Sequence, residues 1–296
     1  MAGVTVTPEL VNQLGLRKIA MEGFTEQAPI YSRIYRVEDS DRPYEELFLV
    51  GDLPPVPQMK SEIASTPLVD IDVSNPVRFF HAQYRMGVAY TRRSLRLDQY
   101  GIIQDKIRKL GAAGRKRVEI AAALVFNDLT RVGGWDGLTL FNSAHKLLSS
   151  ATTYSNKTGT LLGPGPTALQ LIYAYGMKIL DDAGYPSMKT RPIAIVCSVE
   201  LGPSWRAVLG STTTVNAYPN NTQANPAVDN PYRNYLTPDD VIEHPWITDP
   251  NFWCVIYAGH QLRFFWGLRP DNYQVDLPDP RGRKHVIEME FAFGWL

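Results

Sequence analysis

Cysteine is nearly absent, with two thiols, Cys197 and Cys254, in 296 residues. Both stand in apolar runs (Ile195-Val196-Cys197 and Trp253-Cys254-Val255), so buried reduced thiols are expected, and no spacing supports a disulfide. Net charge is missing too: 30 basic and 30 acidic residues cancel. That excludes a bulk nucleic-acid binder, whose affinity needs a standing excess of Lys and Arg, but not a wall that lies beside DNA without gripping it. The opening residues MAGVTVTPELV lack the charged and then apolar pattern of a signal peptide. No apolar run approaches the ~18 residues that span a bilayer. A cytoplasm-like compartment without membrane contact is expected, where the sequons at Asn156 and Asn220 carry no meaning.

The signatures of chemistry are equally scarce. His81, His145, His244, His260 and His285 are scattered, and no His-x-x-x-His or Cys-x-x-Cys pair exists, so no metal site is expected. Ser143 and His145, two apart, invite a nucleophile–base reading. No orienting acid is evident beside them, and the chain has no Gly-x-Ser-x-Gly elbow. Gly163-Pro-Gly165-Pro-Thr-Ala168 resembles a dinucleotide fingerprint, but the preceding segment is polar and two prolines interrupt it, so a turn is expected and no cofactor. The acidic pairs Glu45-Glu46, Asp181-Asp182 and Asp239-Asp240 read as loop or helix-end charges. Phe264-Phe265-Trp266, with Trp246, Trp253 and Trp295, reads as interface anchors rather than a sugar platform.

What is present is a well-packed composition, 44% hydrophobic and 20% charged. Residues 1–35 have no strong period and read as an extended arm with one short helix around 8–16. Residues 44–50, 67–73 and 79–95 have strand composition, broken by Pro54, Pro55 and Pro57. The pattern is a long two-stranded excursion with a proline-rich tip. Between Asp98 and Leu129, Ile103, Ile107, Leu110, Gly114, Val118, Ala121, Val125 and Leu129 recur at spacings of three or four, one apolar stripe at helical period. Such a rod is roughly 45 Å long. Ala112, Ala113 and Gly114 on or near the stripe would admit a close neighbour. The six basic residues over 99–129 read as a solvated face. A second helix is expected from the capping-box spacing at Thr167–Gln170 to Gly184. Strands are expected at 193–199, 241–247, 253–258, 261–268 and 284–293, with a short helix near 204–209 and a polar, Asn-rich loop over 211–237.

Residues 88–146 carry a resemblance. Thr91, Arg92, Leu95 and Asp98 precede the long helix, and Asp136, Gly137, Leu140, Phe141, Ala144 and His145 follow it. This pattern resembles the major head subunits of tailed bacteriophages, nearest to the Mu-type families. The fold so implied is mixed α+β, of the Hong Kong 97 type. It comprises an N-terminal arm (1–35), an extended hairpin loop (36–90), a peripheral domain (91–185) with a spine helix at 99–129, an axial domain (186–262) and a return to the peripheral domain (263–296).

The resemblance implies a structural protein, not an enzyme. It would be a major capsid subunit forming pentamers and hexamers of an icosahedral head around double-stranded DNA, located in the virion and, before assembly, in the host cytoplasm. The chain itself, a portal protein, a separate scaffolding protein, a decoration protein and non-specifically contacted DNA are the expected partners. Assembly residues are expected at the hairpin tip (Pro54, Pro55, Pro57, Lys60) and the axial loop (Asn220, Asn221, Asn225). Ile103, Ile107, Leu110, Val118 and Val125 would form the spine core. An encapsulin-type nanocompartment shell and a soluble α/β hydrolase are the alternatives.

Overall fold

The longest helix begins where Asp98 turns its carboxylate onto two backbone amides, those of Ile102 and Ile103, each at 2.9 Å. This satisfies donors that a helix start leaves orphaned and places a negative charge at the positive end of the helix dipole. The computed structural model describes residues 8–58, 65–98, 100–158, 162–187, 191–211, 213–214, 228–229, 235–278 and 282–296. Lys60, Asn220, Asn221 and Asn225 lie outside the described residues.

The elements run α1 (Pro8–Thr25), α2 (Tyr31–Ile34), β1 (Arg36–Asp39), β2 (Tyr44–Leu47), β3 (Val77–Phe80), β4 (Ala82–Thr91), α3 (Arg92–Arg96) and α4 (Ile102–Asn127). Four short strands follow, β5 (Val132–Gly133), β6 (Leu138–Thr139), β7 (His145–Lys146) and β8 (Thr153–Tyr154). Then come α5 (Pro166–Lys178), β9 (Pro192–Cys197), α6 (Gly202–Gly210), β10 (Thr213–Thr214) and β11 (Val228–Asp229). The chain closes with β12 (Val241–Glu243), β13 (Trp253–Tyr257), β14 (Leu262–Leu277) and β15 (Gly282–Trp295). Two units divide it: residues 1–45, 78–122 and 263–294, and residues 46–77, 123–262 and 295–296. Residues 123–185, which the resemblance assigns to the peripheral domain, fall in the same unit as 186–262. No helix among the described residues is long and apolar enough to cross a membrane.

The first unit is built on α4 and a four-stranded sheet in the order β1-β14-β15-β4. Strand β1 runs parallel to β14, with Val37 opposite Phe264, and β15 runs antiparallel to β4, with Ile287 opposite Met86. Ile107, Leu110 and Val118 of α4 are buried, and Ile103 is half-buried. The expected arm is a correction: residues 8–25 form an 18-residue helix that buries Leu16, Ala20 and Phe24. Its contact with α4 is made at glycines. A Cβ on Gly111 would stand 1.8 Å from the Ala20 carbonyl oxygen, and one on Gly23 would stand 2.0 Å from that of Arg108. Only missing side chains allow two backbones so close. Ala20 and Gly23 keep the crossing itself small, while Leu16 and Phe24 bury apolar side chains beside it.

Two charged residues of α4 also turn inward. Arg115 donates from Nε to the Phe24 carbonyl at 3.0 Å, its guanidinium 4.1 Å from the Phe24 ring centre. One turn later, Glu119 accepts from the amides of Ile30 and Tyr31, both at 3.0 Å. The cation thus meets the end of α1 and the anion meets the start of α2, each matching the local helix dipole. Both side chains are buried, so the expected solvated face does not include them. Phe264 and Trp266 pack with Tyr31 and Phe291 in the core, Phe264 and Phe291 stacking at 5.1 Å. Phe265 and Trp295 are buried as well. Phe264, Phe265, Trp266 and Trp295 are core rather than the interface anchors expected of them, while Trp246 and Trp253 are half-buried.

The second unit contains a three-stranded sheet, β12-β9-β13, covered by α5 and α6. Leu169 and Ile172 from α5, Ile195 and Cys197 from β9, and Trp205 and Leu209 from α6 form its core. Cys197 lies opposite Trp253 and Cys254 opposite Val196, so the two thiols point to opposite faces and cannot bridge. Both are free, and burial pushes the Cys197 thiol up to about 12 and raises Cys254 as well. Helix α5 departs from expectation at both ends. Pro166 is inside its first turn, where its missing N–H costs nothing, and Gly165 rather than Thr167 is the cap residue. It stops at Lys178, and Gly184 (φ +87°) instead closes a turn in which its amide donates to Asp181.

Candidate assembly surfaces

Residues 46–77 begin as a hairpin and end as something looser. Strands β2 and β3 pair, and the ladder is continued by a bridge between Val50 and Val73. Within it the Gly51 amide donates to Asp72 and the Ser74 amide to Leu49, both at 2.9 Å. Buried Ser74 adds a bond from its hydroxyl oxygen, accepting the Leu49 amide at 2.8 Å. Beyond this point pairing stops among the described residues. The expected strand over 67–73 is not formed apart from that bridge, because Pro54, Pro55, Pro57 and Pro67 remove amide donors from both sides. All three tip prolines are exposed. The expected strand over 79–95 ends at Thr91, where Thr91 and Ser94 cap each other reciprocally and start α3.

The segment after α4 is a knot rather than a reaction centre. Asp136 Oδ1 accepts the Leu138 amide at 3.0 Å, and Gly137 at φ +69° turns the chain back. This brings His145 Nδ1 to 2.6 Å from Asp136 Oδ2, with both side chains buried. An orienting acid therefore does exist, nine residues upstream of the histidine. The other ring nitrogen, however, lies 3.3 Å from the Leu140 carbonyl, and among the described residues no hydrogen bond joins the ring to Ser143. Asn156 ties the segment down: its amide nitrogen donates to Leu140 at 2.6 Å and its oxygen accepts the Asn142 amide at 2.8 Å. A cavity of about 340 Å³ is lined by Trp135, Asp136, His145, Tyr154, Cys254 and Trp295, among others. Burial, with Asp136 and Asp182 nearby, pushes the Tyr154 hydroxyl up to about 12, and burial raises the Cys254 thiol. Neither is a ready nucleophile at neutral pH. Among the described residues no cluster of His, Cys, Asp and Glu could hold a metal.

Removing the ring should be felt as stability. His145→Ala leaves the buried Asp136 carboxylate without its closest partner, an expected loss of about 3 kcal/mol in subunit unfolding by denaturant. An unchanged unfolding midpoint would contradict the clasp role. Loss of a hydrolytic activity with the midpoint intact would revive the catalytic one.

The profile of the phage capsid protein family matches residues 77–290. The structure is similar to a virus-like particle from Pyrococcus furiosus, at a TM-score of 0.56 and 10% identity over 96% of this chain and 95% of that one. It is similar to the capsid of the cyanophage P-SCSP1u, at 0.55 and 11% over 100% and 88%. The capsid of Ralstonia phage GP4 follows at 0.51 and 11% over 89% and 83%. Among curated proteins, none matches. The chain belongs to the phage capsid protein family. Its mixed α+β fold is of the Hong Kong 97 type, and its role is structural: a major capsid subunit that assembles with its own copies, not an enzyme.

Proposed function

We propose that this subunit forms the pentamers and hexamers of an icosahedral phage head around double-stranded DNA, and that its hairpin is the overlap between neighbours. The observation that carries the reading is the exposure of the hairpin's apolar side chains. Leu53 is 67% exposed, Val56 95%, Leu68 93% and Ile71 79%. At roughly 25 cal/mol per Å² of apolar surface, a lone subunit forgoes several kcal/mol by leaving them in water. Large apolar patches on a soluble chain mark contact with another molecule. The tip prolines pre-set the backbone and so reduce the entropy lost on docking. Many such modest contacts sum through multivalency into a closed shell. Portal, scaffolding and decoration proteins belong to the same reading, as does a stay in the host cytoplasm before assembly. Residues 1–7, Lys60 and the Asn-rich loop with Asn220, Asn221 and Asn225 are further proposed contact points.

The test is to delete residues 52–65 and close the gap with Gly-Ser. A folded, soluble subunit that stops at capsomers or monomers is expected, seen by negative-stain microscopy and sedimentation. Normal closed particles from the deletion would sink the overlap. Purified parental particles holding genome-length DNA and a portal protein support the head; protein cargo in their place would make the shell a nanocompartment.

A further inference from the structure

Of the 22 glycines in the chain, one alone follows an aspartate or asparagine: Gly137, after Asp136. Asp-Gly is the aspartyl linkage most open to attack by its own backbone. Glycine has no Cβ to shield its nitrogen, and its free torsions let that nitrogen approach the neighbouring carboxyl carbon. The pair stands in the loop of a tight hairpin, since β5 and β6 join Val132 to Thr139 and Gly133 to Leu138. Gly137, at φ +69°, is exposed, and a Cβ built on it would meet nothing within 4 Å. Water therefore reaches this bond.

The aspartate side chain is in the opposite condition. It is 6% exposed, and each of its oxygens is tied to a group fixed elsewhere in the fold. Oδ1 accepts the Leu138 amide at 3.0 Å, and Oδ2 lies 2.6 Å from His145 Nδ1. The imidazole is itself immobilised, stacked on Tyr154 at 5.4 Å between ring centres and 3.3 Å from the Leu140 carbonyl. Asn156 in turn holds that carbonyl at 2.6 Å. A backbone open to attack thus carries a carboxyl carbon that cannot turn to receive it.

We propose that Asp136 is a self-modification site, at which the chain isomerises to isoaspartate whenever the His145 clasp is open. The Gly137 nitrogen attacks Asp136 Cγ. A C–N bond forms, and one carboxyl oxygen leaves as water with the amide proton and a second proton from solvent, closing a succinimide. Water then adds back. Opening at the side-chain carbonyl restores aspartate; opening at the main-chain carbonyl breaks the original peptide bond and leaves the chain running through the side chain. No oxidant or cofactor is needed, and the net composition is unchanged. Isoaspartate lengthens the backbone by one methylene and moves the carboxylate onto the α carbon. Both the Leu138 and the His145 bonds are then lost, so a converted chain cannot close the clasp again. The site records time spent open: subunits kept folded stay intact, and those left unfolded lose this turn permanently.

The test ages the full chain for weeks at neutral pH, in native buffer and in concentrated urea. Trypsin cuts after Arg131 and Lys146 and so releases residues 132–146 as one peptide. Isoaspartate in it is separated by chromatography and located by fragment ions; deamidation of Asn142 in the same peptide raises the mass, whereas isomerisation does not. The parent is expected to convert in urea and at least about tenfold more slowly when folded. His145→Ala in native buffer should approach the urea rate. Gly111→Ala, which disturbs the α1–α4 crossing instead, should stay within about threefold of the folded parent. If His145→Ala does not fold, His145→Gln, which keeps a neutral donor, takes its place with an intermediate rate expected. Equal rates for the folded and the denatured parent, or no conversion in either, overturn the proposal. So does a folded His145 variant as protected as the parent. Gly111→Ala converting as fast as the His145 variant would put the protection in global folding rather than in the clasp, and overturns it too.

Discussion

Subunits carrying Leu110→Asp or Val118→Asp are expected in the insoluble fraction, with any soluble remainder unfolding far below the parent. Leu110 and Val118 are almost completely buried on α4. The stripe they belong to meets α1 and the sheet, since a Cβ on nearby Gly114 would touch Ile287 at 2.9 Å and Phe24 at 3.4 Å. A carboxylate there loses the apolar contacts of the original side chain and gains no partner. An uncompensated buried charge costs about 3–5 kcal/mol, against a total stability of about 5–15 kcal/mol for an ordinary domain. Gln104→Asp, exposed on the same helix, should stay within about 0.5 kcal/mol of the parent. The measurement is soluble yield followed by denaturant unfolding. Parental midpoints for the two core variants would mean that the stripe does not carry the fold.

A single methyl group should have nearly as large an effect where α1 crosses α4. Gly111→Ala places a Cβ 1.8 Å from the Ala20 carbonyl oxygen and 2.8 Å from the Phe24 amide, both rigid backbone atoms. The helices must separate, which loosens buried Leu16, Ala20 and Phe24 and the Arg115 bond to the Phe24 carbonyl. Helix propensity favours alanine over glycine by about 1 kcal/mol, but overpacking of this kind costs about 1–3 kcal/mol or more. A net loss of about 2 kcal/mol is expected, together with faster proteolysis within residues 8–25. Gly15→Ala is the matched control. Nothing lies within 4 Å of its Cβ, so propensity alone acts and stability should rise by about 1 kcal/mol. Equal effects from the two substitutions would show that the crossing is not tight.

Those glycines also show what is legible in a one-dimensional pattern. The apolar stripe of α4 is periodic because packing against flat neighbours selects every third or fourth residue. Arg115 and Glu119 look like solvated charges because their partners, a carbonyl and two amides of residues 24–31, leave no trace in side-chain identity. The motif around Asp136 and His145 is visible, but not that the two meet; the turn at Gly137 that joins them has no apolar period. Strand β14 runs on to Leu277 through Pro270, Asp271 and Asn272, which read as breakers. Its neighbour β1 pairs only with residues 263–266, so on that side the ladder has already ended before Pro270. The hairpin tip was the more readable feature, since prolines act locally.

The pairing of Thr91 with Gly282, and of Met86 with Ile287, sets the order in which the protein can be finished on the ribosome. Strand β4 (Ala82–Thr91) is made well before its partner β15 (Gly282–Trp295). At about 5–20 residues per second, roughly ten seconds or more separate the two. Throughout that interval the face of α4 that β15 will cover is bare, and every nascent chain on the same message offers the same bare face to its neighbours. Such long-range closure is slow and aggregation-exposed. Yield in a heterologous host should therefore depend on translation rate and holdase supply more than on the final stability of the subunit.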